Sequence, residues 1–450
     1  MIDRDRLSLL LERERQLYAA RNPRSLAAYQ AARNLFGRVP MTWMNKSAGG
    51  FPLYVSNARG AHVEDIDGHD FVDLCLGDTG AMAGHSPEPT VEAVQRRFAE
   101  LGGATAMMPS EDAAWVGAEL TRRFGLPYWS FALTATDANR WAIRLARAVT
   151  SRPKILFHNF CYHGSVDESL IVIGPGGEAT SRPGNVGAPV DITQTSRVVE
   201  FNDLEELERQ LSRRDVAALL MEPALTNIGI VLPEKGYLEG VRELTREYAT
   251  LLINDETHTF SAGPGGCTKA WSLAPDMVTI GKAIAGGIPA AAYGLSGELA
   301  QRITGRADLD LIDVGGVGGT LAGNALSVAA MRATLEHVLT DEAFETMTAL
   351  SARFADGVQR IFDRYKLQWS ISRLGARSEY RFSSPAPRNG GESNASADAE
   401  LEDLIHVYLA NRDVLLTPFH NMALMCPATT QSDVDRHHTV FDSCIAELVG

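Results

Sequence analysis

Between residues 112 and 285, short apolar runs alternate with amphipathic stretches. The clearest strands are KILFHN (154–159), VAALLME (216–222), TLLINDE (250–256) and DMVTIG (276–281). Helical patterns such as DANRWAIRLARAVT (137–150) and LEGVRELTREYA (238–249) lie between them. Strands apolar along their whole length, separated by helices, predict an α/β fold with a mostly parallel sheet covered on both faces. Upstream, Leu7, Leu10, Leu11, Leu17 and Tyr18 recur at helical spacing within residues 3–35. A loop, GRVPMTWMNKSAGGFP (37–52), leads into PLYVSNARGAHVEDIDGHDFVDL, whose alternation reads as a hairpin. Downstream, LSVAAMRATLEHVL opens a region with a strand and a Gly/Ser/Pro-rich loop within 373–400 and a last helix over 432–447. These changes of pattern predict an N-terminal helix and segment (1–60) that contributes to the smaller domain or a dimer, a large ligand-binding domain (61–325) and a smaller α+β domain (326–450).

Composition narrows the partners. The chain has 450 residues and a formal charge of −14, which argues against nucleic acid or an anionic membrane as the main partner. Its five cysteines (75, 161, 267, 426, 444) are scattered, with no CxxC pair and no metal-like spacing. That usage, an N-terminus without a signal-like apolar core, and no apolar run of roughly 20 residues together predict a cytoplasmic protein.

Polar or special residues collect where the predicted strands end: His158-Asn159, Glu222-Pro223, Asp255-Glu256 and Lys282. Ligands of open α/β sheets sit beyond such ends. Lys282 follows Gly281 and precedes only small or apolar residues as far as Gly287. It is either snorkelling to solvent or held for its amine, since lost solvation favours the neutral, nucleophilic form. Asp255 suits a metal ligand, a helix cap or a partner for a pyridinium nitrogen. Thr134, Ala135 and Thr136 open a helix, as a cap or as an anion site. Tyr162-His163-Gly164 offers an aromatic ring to stack on a flat ligand. GGVGGTLAGN (315–324) delivers Thr320, as a connector or as an anion-binding loop. No GxGxxG follows the first strand, so a dinucleotide site is not predicted.

Taken in order, DIDGHDFVDL, GAMAGHSPEP, the helix after TATDA, CYHG, Glu222-Pro223, Asp255-Glu256, GKAIAGG and GGTLAGN resemble the class III aminotransferases. The nearest branch is the one containing glutamate-1-semialdehyde aminomutase, and the resemblance runs from about residue 35 to the C-terminus. It implies the aspartate-aminotransferase-like fold (fold type I) and pyridoxal 5'-phosphate as cofactor. By the same resemblance, Lys282 is the internal-aldimine lysine and the proton-moving base, and Asp255 is the partner of the pyridine nitrogen. Thr134, Ala135 and Thr136 replace the usual Ser-Gly-Thr phosphate cup. Tyr162, with His163 beside it, covers one ring face and Thr257 the other, while Glu222 stands near the cofactor's hydroxyl. Thr320 reaches the phosphate of a neighbouring subunit, which implies a homodimer with sites at its interface. Trp43, Arg373, Arg377 and Asn421 are the substrate candidates. His258 stands where an apolar residue is usual. The segment PMTWMNKSAGG lacks the arginine that aminomutases use for the substrate carboxylate, and Asn421 replaces a glutamate. On this reading the chain is a ping-pong aminotransferase acting on an amine or amino acid and a keto acid or aldehyde, with an aminomutase or epimerase as the alternative. A non-catalytic cofactor-binding protein is the reading outside enzymology, and Lys282 and Asp255 argue against it.

Overall fold

Asn22 and Pro23 interrupt the N-terminal helical pattern: helix Arg4–Arg21 ends there and Pro23 begins helix Pro23–Ala31. Proline lacks the N–H that a helix interior needs but fits a first turn. The computed structural model describes residues 2–187 and 190–450. It divides into two units: the larger is Glu88–Asp341 with Pro387–Ala395, and the smaller is the chain up to Pro87 with Glu342–Ala386 and Ser396–Gly450.

These divisions fall away from the predicted 60/61 and 325/326, for reasons of pairing and packing. Strands Val55–Arg59, His62–Asp65 and Asp70–Asp73 form a sheet completed by Val414–Leu415 from near the C-terminus, so the hairpin belongs to the smaller unit. Helix Ala325–His337 instead packs on helices Glu88–Gln95 and Glu111–Phe124 in the larger unit. Thr334 and Thr90 join their hydroxyls there at 2.8 Å.

The larger unit holds a seven-stranded sheet in the order Tyr128–Ala132, Ala291–Leu295, Met277–Ile280, Leu251–Asp255, Val216–Met221, Lys154–His158, Ser196–Val199. All neighbours run parallel except Ala291–Leu295, which is antiparallel to both of its partners. Every residue of Val216–Met221 and Leu251–Asp255 is buried, which explains their unbroken apolar runs. Helix Ala135–Thr150 lays Ala138, Trp141, Ala142, Ile143 and Leu145 into that core.

In the smaller unit, strands Ser370–Leu374, Arg377–Arg381 and Met422–Leu424 form an antiparallel sheet. Helix Gln431–Val449 starts with a capping box between Thr430 and Asp433. Of the glycine- and proline-rich stretch 174–190, residues Ala179–Ser181 form a strand paired with Ile171–Ile173. Ala188 and Pro189 lie outside the described residues. All five cysteines are free, and no helix among the described residues is long and apolar enough to cross a membrane.

Candidate active site

Asp255 closes the fully buried strand Leu251–Asp255. A lone carboxylate there would carry a heavy desolvation cost. Three donors meet it: His163 Nδ1 at 2.9 Å and Asn139 Nδ2 at 2.8 Å on Oδ2, and the Thr257 N–H at 3.0 Å on Oδ1. Burial opposes its charge, but the hydrogen bond and charge of His163 outweigh burial and hold Asp255 well below the usual carboxylate range. Burial likewise pushes His163 down, and Cys161 and Asp255 outweigh it, so the imidazole is raised well above its ordinary value. The two form a buried imidazolium–carboxylate pair.

Asn139 was not among the sequence candidates. It is fixed by the Thr279 hydroxyl, which donates to its Oδ1 at 2.6 Å. Its only sequence signal is a polar residue on the apolar face of helix Ala135–Thr150.

Lys282 follows strand Met277–Ile280 and is half-buried, with a left-handed φ of 52°. For a residue with a Cβ, that conformation costs about 1–2 kcal/mol. Such strain persists only where the surroundings over-determine it. Gly281 presses against the start of helix Ala135–Thr150: a Cβ there would lie 3.0 Å from Ala135 Cβ and 3.1 Å from its nitrogen. The lysine amine lies 2.8 Å from His258 Nε2.

Thr134 caps the same helix. Its hydroxyl accepts from the Asp137 N–H at 3.1 Å and donates to the Asp137 carboxylate at 2.8 Å. The Thr136 hydroxyl accepts from the Ser165 N–H at 3.2 Å. Gly164 makes this approach possible, with φ +79° and space so tight that a Cβ would sit 2.0 Å from Thr136 Oγ1. Gly164→Ala is therefore expected to destabilise the fold by about 1–3 kcal/mol. A thermal melt within error of wild type contradicts this packing.

Glu222 follows strand Val216–Met221, is buried, and accepts a hydrogen bond from the Thr226 hydroxyl. Burial pushes its pKa up to about 7, against the lowering influence of His163 and Thr226. Because the folded value is raised, the unfolded chain releases this proton first as pH rises. The stabilisation is fully present below the ordinary 4.5 and lost as pH rises through about 7. Glu222→Gln is expected to flatten the fall in stability across that window, by an amount on the order of a few kcal/mol. Chemical denaturation at a series of pH values checks this.

Thr257 is buried and its Oγ1 has no hydrogen-bond partner among the described residues. Tyr162 is 41 % exposed beside the site, and Thr320 is exposed on a loop of the larger unit. The ends of three strands, the start of one helix and the loop 162–165 thus assemble a carboxylate, an amine, helix N–H groups and hydroxyls. The arrangement suits a ligand carrying an anion, a basic ring nitrogen and a carbonyl.

The model of the aminotransferase class-III family matches residues 43–442. The chain belongs to this family. Solved structures of a glutamate-1-semialdehyde aminomutase from Pseudomonas aeruginosa, one of them a lysine-to-alanine variant in complex with PMP, superpose with a TM-score of 0.96. They share 46 % identity over 99 % of both chains. A glutamate-1-semialdehyde 2,1-aminomutase from Chloroflexus aggregans is 31 % identical over 90 % of this chain and 92 % of its own. An omega-transaminase from Sphaerobacter thermophilus shares 26 % identity, with a TM-score of 0.85 over 95 % and 98 % of the two chains.

This class-III aminotransferase is therefore a pyridoxal-phosphate enzyme with the α/β fold that its sequence predicts. The residues present fit the cofactor. An ionised buried carboxylate, a capped helix start, a lysine at a strained strand end and the orphaned Thr257 hydroxyl occupy one cluster of strand ends.

The substrate candidates belong to the smaller unit of this class-III enzyme. Trp43 and Met44, in the turn Thr42–Asn45, line a cavity of about 280 Å³ with Lys46, Cys75, His406 and Pro418. Arg373 is exposed, whereas Arg377 is buried and donates to the Thr79 hydroxyl. Asn421 is buried, with its Oδ1 3.2 Å from His406 Nε2 and its Nδ2 without a partner among the described residues.

Proposed function

We propose that this enzyme is an aminomutase that moves an amino group between adjacent carbons of a small amino-aldehyde acid such as glutamate 1-semialdehyde. The observation that carries this reading is the 46 % identity, over 99 % of both chains, to the Pseudomonas aeruginosa aminomutase, against 26 % to the omega-transaminase.

Pyridoxal phosphate, when bound, supplies the electron sink that lets a proton leave the nitrogen-bearing substrate carbon. Asp255, kept ionised by His163, Asn139 and Thr257, holds a proton on the ring nitrogen. Lys282 would hold the cofactor through its amine and would move a proton at the substrate carbon. Thr134, Ala135 and Thr136 hold the phosphate at a helix start. Tyr162 and Thr257 would pack against its ring, and Glu222 would stand beside its hydroxyl. The partner's Thr320 completes the phosphate site in a homodimer. The free cysteines support a cytoplasmic setting.

A second reading, an aminotransferase using separate donor and acceptor, is favoured by the segment 40–50, which carries no arginine. Turnover of glutamate 1-semialdehyde with and without an added keto acid separates the two. An aminomutase turns over repeatedly without the acceptor. Arrest after one equivalent per site, relieved by a keto acid, would replace the proposed reading with the second.

A further inference from the structure

The contact of 2.8 Å between Lys282 Nζ and His258 Nε2 has no part in the mechanism above. His258 is half-buried in the turn just past Asp255. Strands Leu251–Asp255 and Met277–Ile280 are direct parallel neighbours, with Asp255 opposite Thr279, so the sheet itself brings the two residues together. At that distance one nitrogen donates a hydrogen bond to the other, and a proton lies between them.

We propose that His258 is a positioning residue that holds the Lys282 amine and exchanges one proton with it. The Nζ–H bond breaks as the Nε2–H bond forms, and the positive charge passes from ammonium to imidazolium, with the other ring proton on Nδ1. The exchange leaves Lys282 as the neutral amine that attacks a carbonyl or takes a proton from carbon. The reverse transfer restores the ammonium. The inference rests on the reading of Lys282 as the reactive amine.

The other titratable groups around the site include Asp255, Glu256 and Glu222 at strand ends, and Cys161, Tyr162 and His163 in the loop after Lys154–His158. Asp255 is engaged by His163, Asn139 and Thr257, and Glu256 by Thr259, Thr268 and the Cys267 N–H. Glu222 is engaged by Thr226.

The test is the pH profile of Lys282 acetylation by trace acetic anhydride in the full-length chain freed of cofactor, read by mass spectrometry of the Lys282 peptide. If the amine exchanges its proton with the ring as proposed, wild type shows two steps and His258→Met one. His258→Gln keeps a hydrogen-bond partner without a titrating ring, so it is expected to show one step with a limiting rate close to wild type. In the loaded enzyme, His258→Met is expected to lower kcat roughly 10²-fold with little change in KM. Matching profiles in all three chains would reduce His258 to packing and overturn the proposal. Two steps persisting in His258→Gln would overturn it as well, and that variant carries the test if His258→Met does not fold. Borohydride reduction of the loaded wild-type chain separates this from failure of the underlying mechanism: an adduct on another lysine removes Lys282 from its role whatever the acetylation profile.

Discussion

Lys282→Ala is expected to lower kcat/KM by roughly 10⁴-fold or more, since in the proposed function Lys282 is both the cofactor's covalent anchor and the proton-moving base. The fold should survive. Alanine meets the same left-handed φ of 52° that lysine already occupies, and the strand neighbours Thr279 and Gly281 are untouched. A thermal midpoint near that of wild type, together with lost turnover, is the expected pair of results. Lys282→Arg is expected to be as inactive, because a guanidinium stays protonated and cannot serve as the base. Steady-state kinetics within tenfold of wild type in either variant would remove Lys282 from the chemistry.

Asp255→Ala carries the second large effect, and it strikes both activity and stability. Turnover is expected to fall roughly 10²–10³-fold, as for the loss of one preorganised electrostatic contact at a reacting group. The variant also strands His163, whose charge is stabilised by Asp255. Removing one partner of a buried ion pair costs about 3–5 kcal/mol. The pH dependence has a definite sign. Asp255 is held low, so its contribution is present above its ordinary 3.8 and lost as pH falls through the folded value. His163 is raised, so its contribution is present below 6.5 and lost as pH rises through the folded value. The stability gap between wild type and Asp255→Ala is therefore expected to be widest between pH 3.8 and 6.5 and to narrow on both sides. Denaturant titrations across that range check it, and a gap that does not vary with pH contradicts the ion pair.

The strands that carry the candidate site were legible in the sequence because they are apolar and buried. Four runs, ending at Asn159, Glu222, Glu256 and Gly281, stand within a residue of the strands observed, which end at His158, Met221, Asp255 and Ile280. The polar residues at three of those ends, Glu222, Asp255 and Lys282, belong to the site, whereas His158 bonds to Tyr237 and Asn159 to Glu200. Strand Ala291–Leu295 was not legible, because AAYGL has neither β-branched residues nor alternation, and its antiparallel place comes from pairing on both sides. Ser196–Val199 is too short to stand out. The division into units was hidden because it is set by contacts distant in sequence, such as Val414–Leu415 pairing with the hairpin. Within the site, Asp255 and Lys282 announced themselves as charged groups at apolar strand ends. His163 looked like a neighbour of Tyr162, and only the fold makes it the partner of Asp255 at 2.9 Å. Asn139 was hidden in the same way inside a helix.

Borohydride reduction of the loaded enzyme, followed by peptide mapping, tests the central claim most directly. A phosphopyridoxyl group is expected on the peptide that contains Lys282 and on no other. An adduct on a different lysine, or none at all in protein that holds the cofactor, would contradict it.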